Sequence, residues 1–297
     1  MLIIKALTIF VGRRGRVRYS DICYIAATFF VATFFVATAR AQDPYEAQLR
    51  LADSLYEAGA PFDAATEAKR LLFFDSTGAK RYEARTLLAA SEKAGGNYHE
   101  ARRNFTLAEA AARTDAERWR ARVEKARVLI LERRTDEALR LLAWADTNAA
   151  TDGERREARY WRGWSEMFAD EWGAAAETFA EIGSPLERVC RDVEEATLSI
   201  DAARWLSVVV PGAGQTYAGR PLNGALSLGW NALWAWSATN AFLAERIVEG
   251  AVVANFLWLR FYQGNLQNAV AFARSANAAV ADEALTYLRH RYQGKKP

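Results

Sequence analysis

The chain is short of the residues that carry most enzyme chemistry. In 297 residues it has two histidines, two cysteines and two methionines. Neither His99 nor His290 has a second ligand at metal-binding spacing, and no H-E-x-x-H, C-x-x-C or G-x-S-x-G string occurs. Those absences exclude the zinc-protease, thiol-redox and hydrolase-elbow arrangements. "ALSLG" at 225–229 imitates the last only loosely, because it lies inside an apolar helical run. His99 stands beside a helix start and reads as a surface residue. Proline numbers only 6, and no segment alternates apolar and polar residues as a series of strands would. A net charge of +3 is too near balance to argue for nucleic acid. What the chain does have is 51% apolar residues, enough for a packed core, and ten tryptophans, several of them in the last third. The reading is an all-α protein with no catalytic residues, no metal and no cofactor.

Residues 1–41 read as a signal peptide or an N-terminal anchor. Arg13, Arg14, Arg16 and Arg18 form a basic region, "ICYIAATFFVATFFVAT" follows, and Ala39-Arg40-Ala41 gives a small-x-small cleavage signature. The Arg13-Arg14 pair lacks the rest of a twin-arginine pattern, and Cys23 has no lipobox before it. Cleavage would leave Cys190 as a lone thiol, unable to form an internal disulfide.

Between residues 42 and 200 the sequence repeats with a period of 37. Ala52, Ala89, Ala126 and Gly163 share one register; Ala64, Ala101, Ala138 and Ala175 share another; Ala68, Phe105, Leu142 and Phe179 a third. Each unit reads as a helix, a break near Gly59, Gly96, Arg133 or Asp170, and a second helix, with small residues where the two helices cross. This pattern resembles the tetratricopeptide repeat, with longer linkers than its usual period allows and without the proline that closes each repeat; only Pro185 approaches that position. The resemblance implies a short α-solenoid whose concave face, lined by the first helix of each pair, binds a protein or peptide. Its groove positions carry over to Leu49, Asp53, Tyr56 and Glu57, then to Glu83, Thr86, Ala90 and Lys93. In the third unit they are Arg120, Val123, Arg127 and Ile130, and in the fourth Glu157, Tyr160, Trp164 and Met167. Tyr160 and Trp164 are the expected anchors, and Arg120 and Arg127 the expected carboxylate partners, unless the fourth-unit aromatics pack against the next element.

Residues 201–264 read as hydrophobic, membrane-associated helices in a hairpin. Gly214 to Gly219 has the spacing of a phosphate-binding loop, but Arg220 stands where lysine is needed and Pro221 where a hydroxyl is needed, so a nucleotide is excluded. "LNGALSLGWNALWAWSATNAFLA", 222–244, contains no charged residue and is long enough for a span. Gly224, Ala225 and Gly229 would permit close helix approach, and Gln215, Asn231, Asn240 and Asn255 would bond between helices. "IVEGAVVANFLWLRFY" is a marginal second span because of Glu249 and Arg260. Pro211, Gly212, Gly214, Gln215, Tyr217 and Gly219, with "FYQGNLQNAVAFA" downstream, resemble a small group of bacterial membrane domains marked by P-G-x-G-Q-x-Y-x-G, whose biochemical role is not established. "GNLQNA" at 264–269 echoes "GNYHEA" at 96–101, which predicts a repeat-like hairpin with Leu257 and Ala269 in register. Residues 265–297 read as an amphipathic helix with a basic tail.

These expectations describe a scaffold in the bacterial inner membrane, its repeats in the periplasm, binding a protein or peptide in envelope assembly or secretion. The alternative is a membrane-embedded module that binds or moves a lipid or small molecule. The bilayer is an expected partner in both; nucleic acid and nucleotide are not.

Overall fold

The computed structural model describes residues 44–297, so the signal-peptide or anchor reading of 1–41 falls outside the described residues. Those residues are helical throughout, without strands. They divide into two compact units, the first ending at Ala111 and the second running over 112–297.

The first unit holds α1 (Pro44–Glu57), α2 (Pro61–Phe74), α3 (Arg81–Ala94) and α4 (Tyr98–Ala111). The second begins with α5 (Asp115–Leu131), α6 (Thr135–Thr147), α7 (Asp152–Phe168), α8 (Trp172–Glu181) and α9 (Leu186–Ala196). In every pair the first helix ends, and the second begins, 37 residues after its counterpart in the pair before. Three residues separate the helices of a pair, and the middle one always adopts a left-handed conformation: Gly59, Gly96, Arg133 and Asp170 have φ between 56° and 79°. The residue after it donates its N–H to a carbonyl five positions back, as Asn97 does to Glu92 and Glu171 to Glu166. This double-bonded helix end fixes the reversal, and at Arg133 and Asp170 it is strong enough to hold a non-glycine residue at positive φ.

Helix crossings account for the small-residue registers. Ala52, Ala89 and Ala126, like Ala64, Ala101, Ala138 and Ala175, are fully buried, as are Phe105 and Phe179 four residues beyond the second set. At Gly163 even one methyl is excluded: a Cβ there would lie 2.6 Å from the Phe179 ring. The surplus over a shorter repeat goes to a loop at 75–80 in the first unit, where the Asp75 carboxylate accepts hydrogen bonds from Thr77, Ala79 and Lys80. In the second unit it goes to helix length, since α5 and α7 have 17 residues each. The expectation of longer linkers therefore fails at 148–151, where Thr151 and Glu154 form a capping box that starts α7 directly. Helix α9 closes this stack by burying Leu186, Cys190 and Val193, one stripe of an amphipathic helix.

After the stack come α10 (Ile200–Val209), the short α11 (Ala213–Tyr217), α12 (Pro221–Leu243), α13 (Ile247–Val252), a π-helical turn over Val253–Trp258 and α14 (Leu259–Arg291). The last three form one uninterrupted helical run, so the expected hairpin between Leu257 and Ala269 does not exist. The reversal lies earlier, where Glu245 takes φ 61° and Arg246 bonds back to Ala241. Helix α14, 33 residues and so about 50 Å long, packs its first half on α10 and α11. Its second half joins the core of the repeats through Ala281 and Leu288.

The crossings predict opposite outcomes for two glycines. Gly163→Ala should lower stability by about 1–3 kcal/mol through overpacking against Phe179. Gly173→Ala meets only ordinary contacts near Glu194 and should raise it by up to about 1 kcal/mol. Thermal or urea unfolding of the purified variants reads both.

Candidate functional site

Two arrangements of polar groups stand out in the second unit. The first lies along α5 and α7, the first helices of the two pairs in this unit. Arg120 donates to Glu157 at 2.7 Å, and Glu157 also accepts from the Trp161 indole at 3.4 Å. Seven residues on, Arg127 stacks over the Trp161 ring at 4.2 Å and donates to Glu124 at 2.6 Å. The carboxylate partners expected for the two arginines are thus supplied by the repeats themselves.

This strip holds the chain's own C-terminal segment. Beyond the end of α14, Tyr292 is extended, with its ring 6.3 Å from that of Trp164. Its hydroxyl lies 3.1 Å from that of Tyr160, which in turn donates to the carbonyl of Lys295. Arg127 donates through its second amine to the carbonyl of Lys296 at 3.0 Å. Burial, reinforced by the Tyr292 hydroxyl, holds the Tyr160 phenol well above its ordinary pKa, so it remains a proton donor at any physiological pH. Beside the segment a cleft of about 400 Å³ stays open, lined by Gly153, Arg156, Glu157, Ile182 and Ser184.

The carried-over groove positions therefore divide. Arg120, Arg127, Glu157 and Tyr160 form a continuous strip. Trp164, only 3% exposed, is covered by Tyr292 and not open as an anchor. Val123, Ile130 and Met167 are core residues. In the first unit Asp53 and Glu57 are exposed, while Leu49, Tyr56, Glu83, Thr86, Ala90 and Lys93 are half-buried on α1 and α3. Nothing in the polar, aperiodic residues of the tail marks them for this position.

The second arrangement is a buried network centred on Asn265. Its side-chain oxygen accepts from the Gly212 amide at 2.8 Å, the Gln215 amide at 2.9 Å and the Ser227 hydroxyl at 2.9 Å. Its own amide donates to the carbonyl of Ser207 at 2.9 Å. The Ser207 hydroxyl closes the ring by donating to Gln215 and accepting from the Gly214 amide. Glycine is required around it: a Cβ on Gly212, at φ 94°, would meet the Gly224 carbonyl at 2.0 Å, and one on Gly214 the Ala203 carbonyl at 2.0 Å. Gly224 packs as tightly against Thr216 and Gly212. Gly219 supplies the left-handed turn before α12, Pro211 begins the bend before α11, and the Tyr217 hydroxyl accepts from the Ser199 amide. Every residue of the P-G-x-G-Q-x-Y-x-G string thus has a structural task.

Other expectations for this region need correction. Asn231 donates to Ser227 within its own helix, and Asn240 and Asn255 are exposed, so none bonds between helices. Ala225 is exposed and Gly229 faces open space, so only Gly224 marks a close approach. The partners that sequence reasoning missed, Ser207, Ser227 and Asn265, carried one signal: Asn265 sits in the "GN" of the downstream phrase.

A further cavity, of about 570 Å³, lies between α10, α12 and the π-helical turn, lined by Val209, Leu228, Ala235, Trp258 and Tyr262 with Asn231 at its wall. Among the described residues no group of acidic, histidine or cysteine side chains could hold a metal ion. No helix among them is long and apolar enough to cross a membrane. Comparison with protein-family models, curated proteins and solved structures finds no match for this chain.

Two results are expected. Asn265→Leu strands several buried donors and acceptors at once and should destabilise by at least about 3 kcal/mol, whereas Asn240→Leu on the exposed face should change stability by less than about 0.5 kcal/mol, both read by thermal unfolding. Burial, with the nearby Glu166 charge, pushes the Cys190 thiol up to about 12. In the folded protein it should resist maleimide at pH 8 and react only when urea unfolds the chain.

Proposed function

We propose that this protein is an exported, membrane-seated helical scaffold, similar to tetratricopeptide-repeat proteins, that binds an extended segment of a protein partner on its concave face during envelope assembly or secretion. The observation that carries the partner reading is the strip of Arg127, Tyr160 and Trp164, which already holds a non-helical stretch of chain by its carbonyls and one aromatic ring. Peptide-binding solenoids need donors fixed on rigid helices, and Glu124 and Trp161 fix Arg127 in this way.

An inversion of polarity over residues 200–265 supports the membrane seat. Ser207, Gln215, Asn231 and Asn265 are buried, while Trp205, Val209, Leu222, Leu226, Trp236, Leu243, Val248 and Phe256 are exposed, Leu222 at 79% and Leu243 at 81%. Water-soluble surfaces rarely gather so much apolar area in one place. The charged residues Glu245, Arg246 and Glu249 gather at the hairpin tip, where Arg246 pairs with Glu249.

A second reading, a module that takes up a lipid or another small apolar molecule, is favoured by the cavity beside Asn231, whose side-chain oxygen has no hydrogen-bond partner.

The membrane seat and its orientation can be tested together. The purified full chain should float with phosphatidylcholine vesicles in high salt, since the contact is apolar; recovery as a detergent-free monomer in the aqueous fraction would sink the reading. In a Cys23→Ser background, Asp170→Cys should react with an impermeant maleimide in cells with a permeabilised outer membrane, with Cys190 silent. Labelling only after lysis would place the repeats on the other side.

A further inference from the structure

We infer that the C-terminal segment, residues 292–297, is a tethered ligand of the concave face, and that the partner is a non-helical peptide with the same aromatic anchor that competes with it. This rests on the partner reading above and adds what the groove selects and how it is held closed.

The segment docks as a ligand would. It has left the helix, and its anchor is a single ring, that of Tyr292 against Trp164 with its hydroxyl on Tyr160. The remaining bonds go to main-chain carbonyls three and four residues further on, Lys295 to Tyr160 and Lys296 to Arg127. Its shape is built: a Cβ on Gly294 would lie 2.2 Å from the Tyr292 hydroxyl, so the chain can pass over the ring only with glycine there. Lys296 then turns back to donate to the Arg289 carbonyl at 2.7 Å, closing the end of α14.

The groove holds its occupant by shape and main-chain bonds and not by charge: Glu157 already accepts from Arg120 and Glu124 from Arg127, and Arg156 lines the open cleft. The segment also fills only part of the site, because the cleft beyond Lys295 is empty and continues along Gly153, Ile182 and Ser184. A longer peptide with the same aromatic anchor can use both. Against it stands the tether: a segment joined directly to a rigid helix has an effective concentration on the order of millimolar, which weakens any external ligand of the same groove in proportion.

The probe is a fluorescein-labelled peptide, RHRYQGKKP, titrated with detergent-solubilised full-length protein and read by anisotropy. The intact chain should bind it weakly. A chain ending at Arg291, and separately full-length Gly294→Ala, should each bind it at least about tenfold more tightly. Tyr160→Phe in the shortened chain should weaken binding about tenfold, as should Tyr→Ala in the peptide. Equal binding by intact and shortened chains would overturn the tethered-ligand inference while leaving the groove reading standing. No binding by the shortened chain, with its thermal transition intact, would overturn both. If the shortened chain does not fold, Gly294→Ala decides: tighter binding upholds the inference and unchanged binding overturns it.

Discussion

One helix, α14, makes the second unit a single object. Near its start Asn265 gathers Ser207, Gly212, Gln215 and Ser227; at its middle Asn277 bonds both backbone groups of Leu198; near its end Ala281 and Leu288 enter the core of the repeats. An α-helix has a fixed rise, so these three attachments are also fixed in distance from one another. Sliding α14 by one residue would rotate Asn265 by about 100° out of its network and Leu288 out of the core together. Neither half can adjust alone, and the last turn of α14 must then deliver Tyr292 beside Trp164.

The two halves of that unit solve the burial problem in opposite ways. The repeats hide Trp161, Phe179 and Met167 and leave arginines and glutamates outside, as proteins in water do. The module built on α10 to α12 hides amides and hydroxyls and leaves tryptophan and leucine outside. A buried amide costs several kcal/mol unless bonded, so the inner network is tolerable only because Asn265 and Gln215 satisfy one another and the backbone bend at 210–214. The glycines allow that mutual satisfaction: with side chains at 212, 214 and 224 the helices could not come close enough for one asparagine to reach them all.

Much of this was legible in the sequence, and the reason is periodicity. A period of 37 with alanine at fixed steps marks helix crossings, since only small residues fit there, and the breaks at Gly59, Gly96, Arg133 and Asp170 fall on the left-handed residues. Gly214–Gly219, with the spacing of a phosphate loop, instead closes a bend around the Asn265 network. Residues chosen by analogy did less well: Val123, Ile130 and Met167 occupy groove positions in number but lie in the packed core that α5 and α7 share with their neighbours. The false hairpin at 257–269 came from a shared phrase, "GN", whose asparagine at 97 ends a helical reversal while that at 265 ties a network. Local wording did not reveal which neighbours each would meet. The docking of the tail was invisible for the same reason: it depends on where α14 ends in space.

How the strip on α5 and α7 holds the segment follows from where its bonds go. Two of its contacts to the segment end on carbonyls, which every residue possesses, so they fix direction and register without choosing a sequence. Side-chain contact falls to the Tyr292 ring and hydroxyl, beside Trp164 and Tyr160, while the tight passage at Gly294 is against Tyr292 itself and shapes the segment. A groove of this kind cannot be read without asking what already fills it.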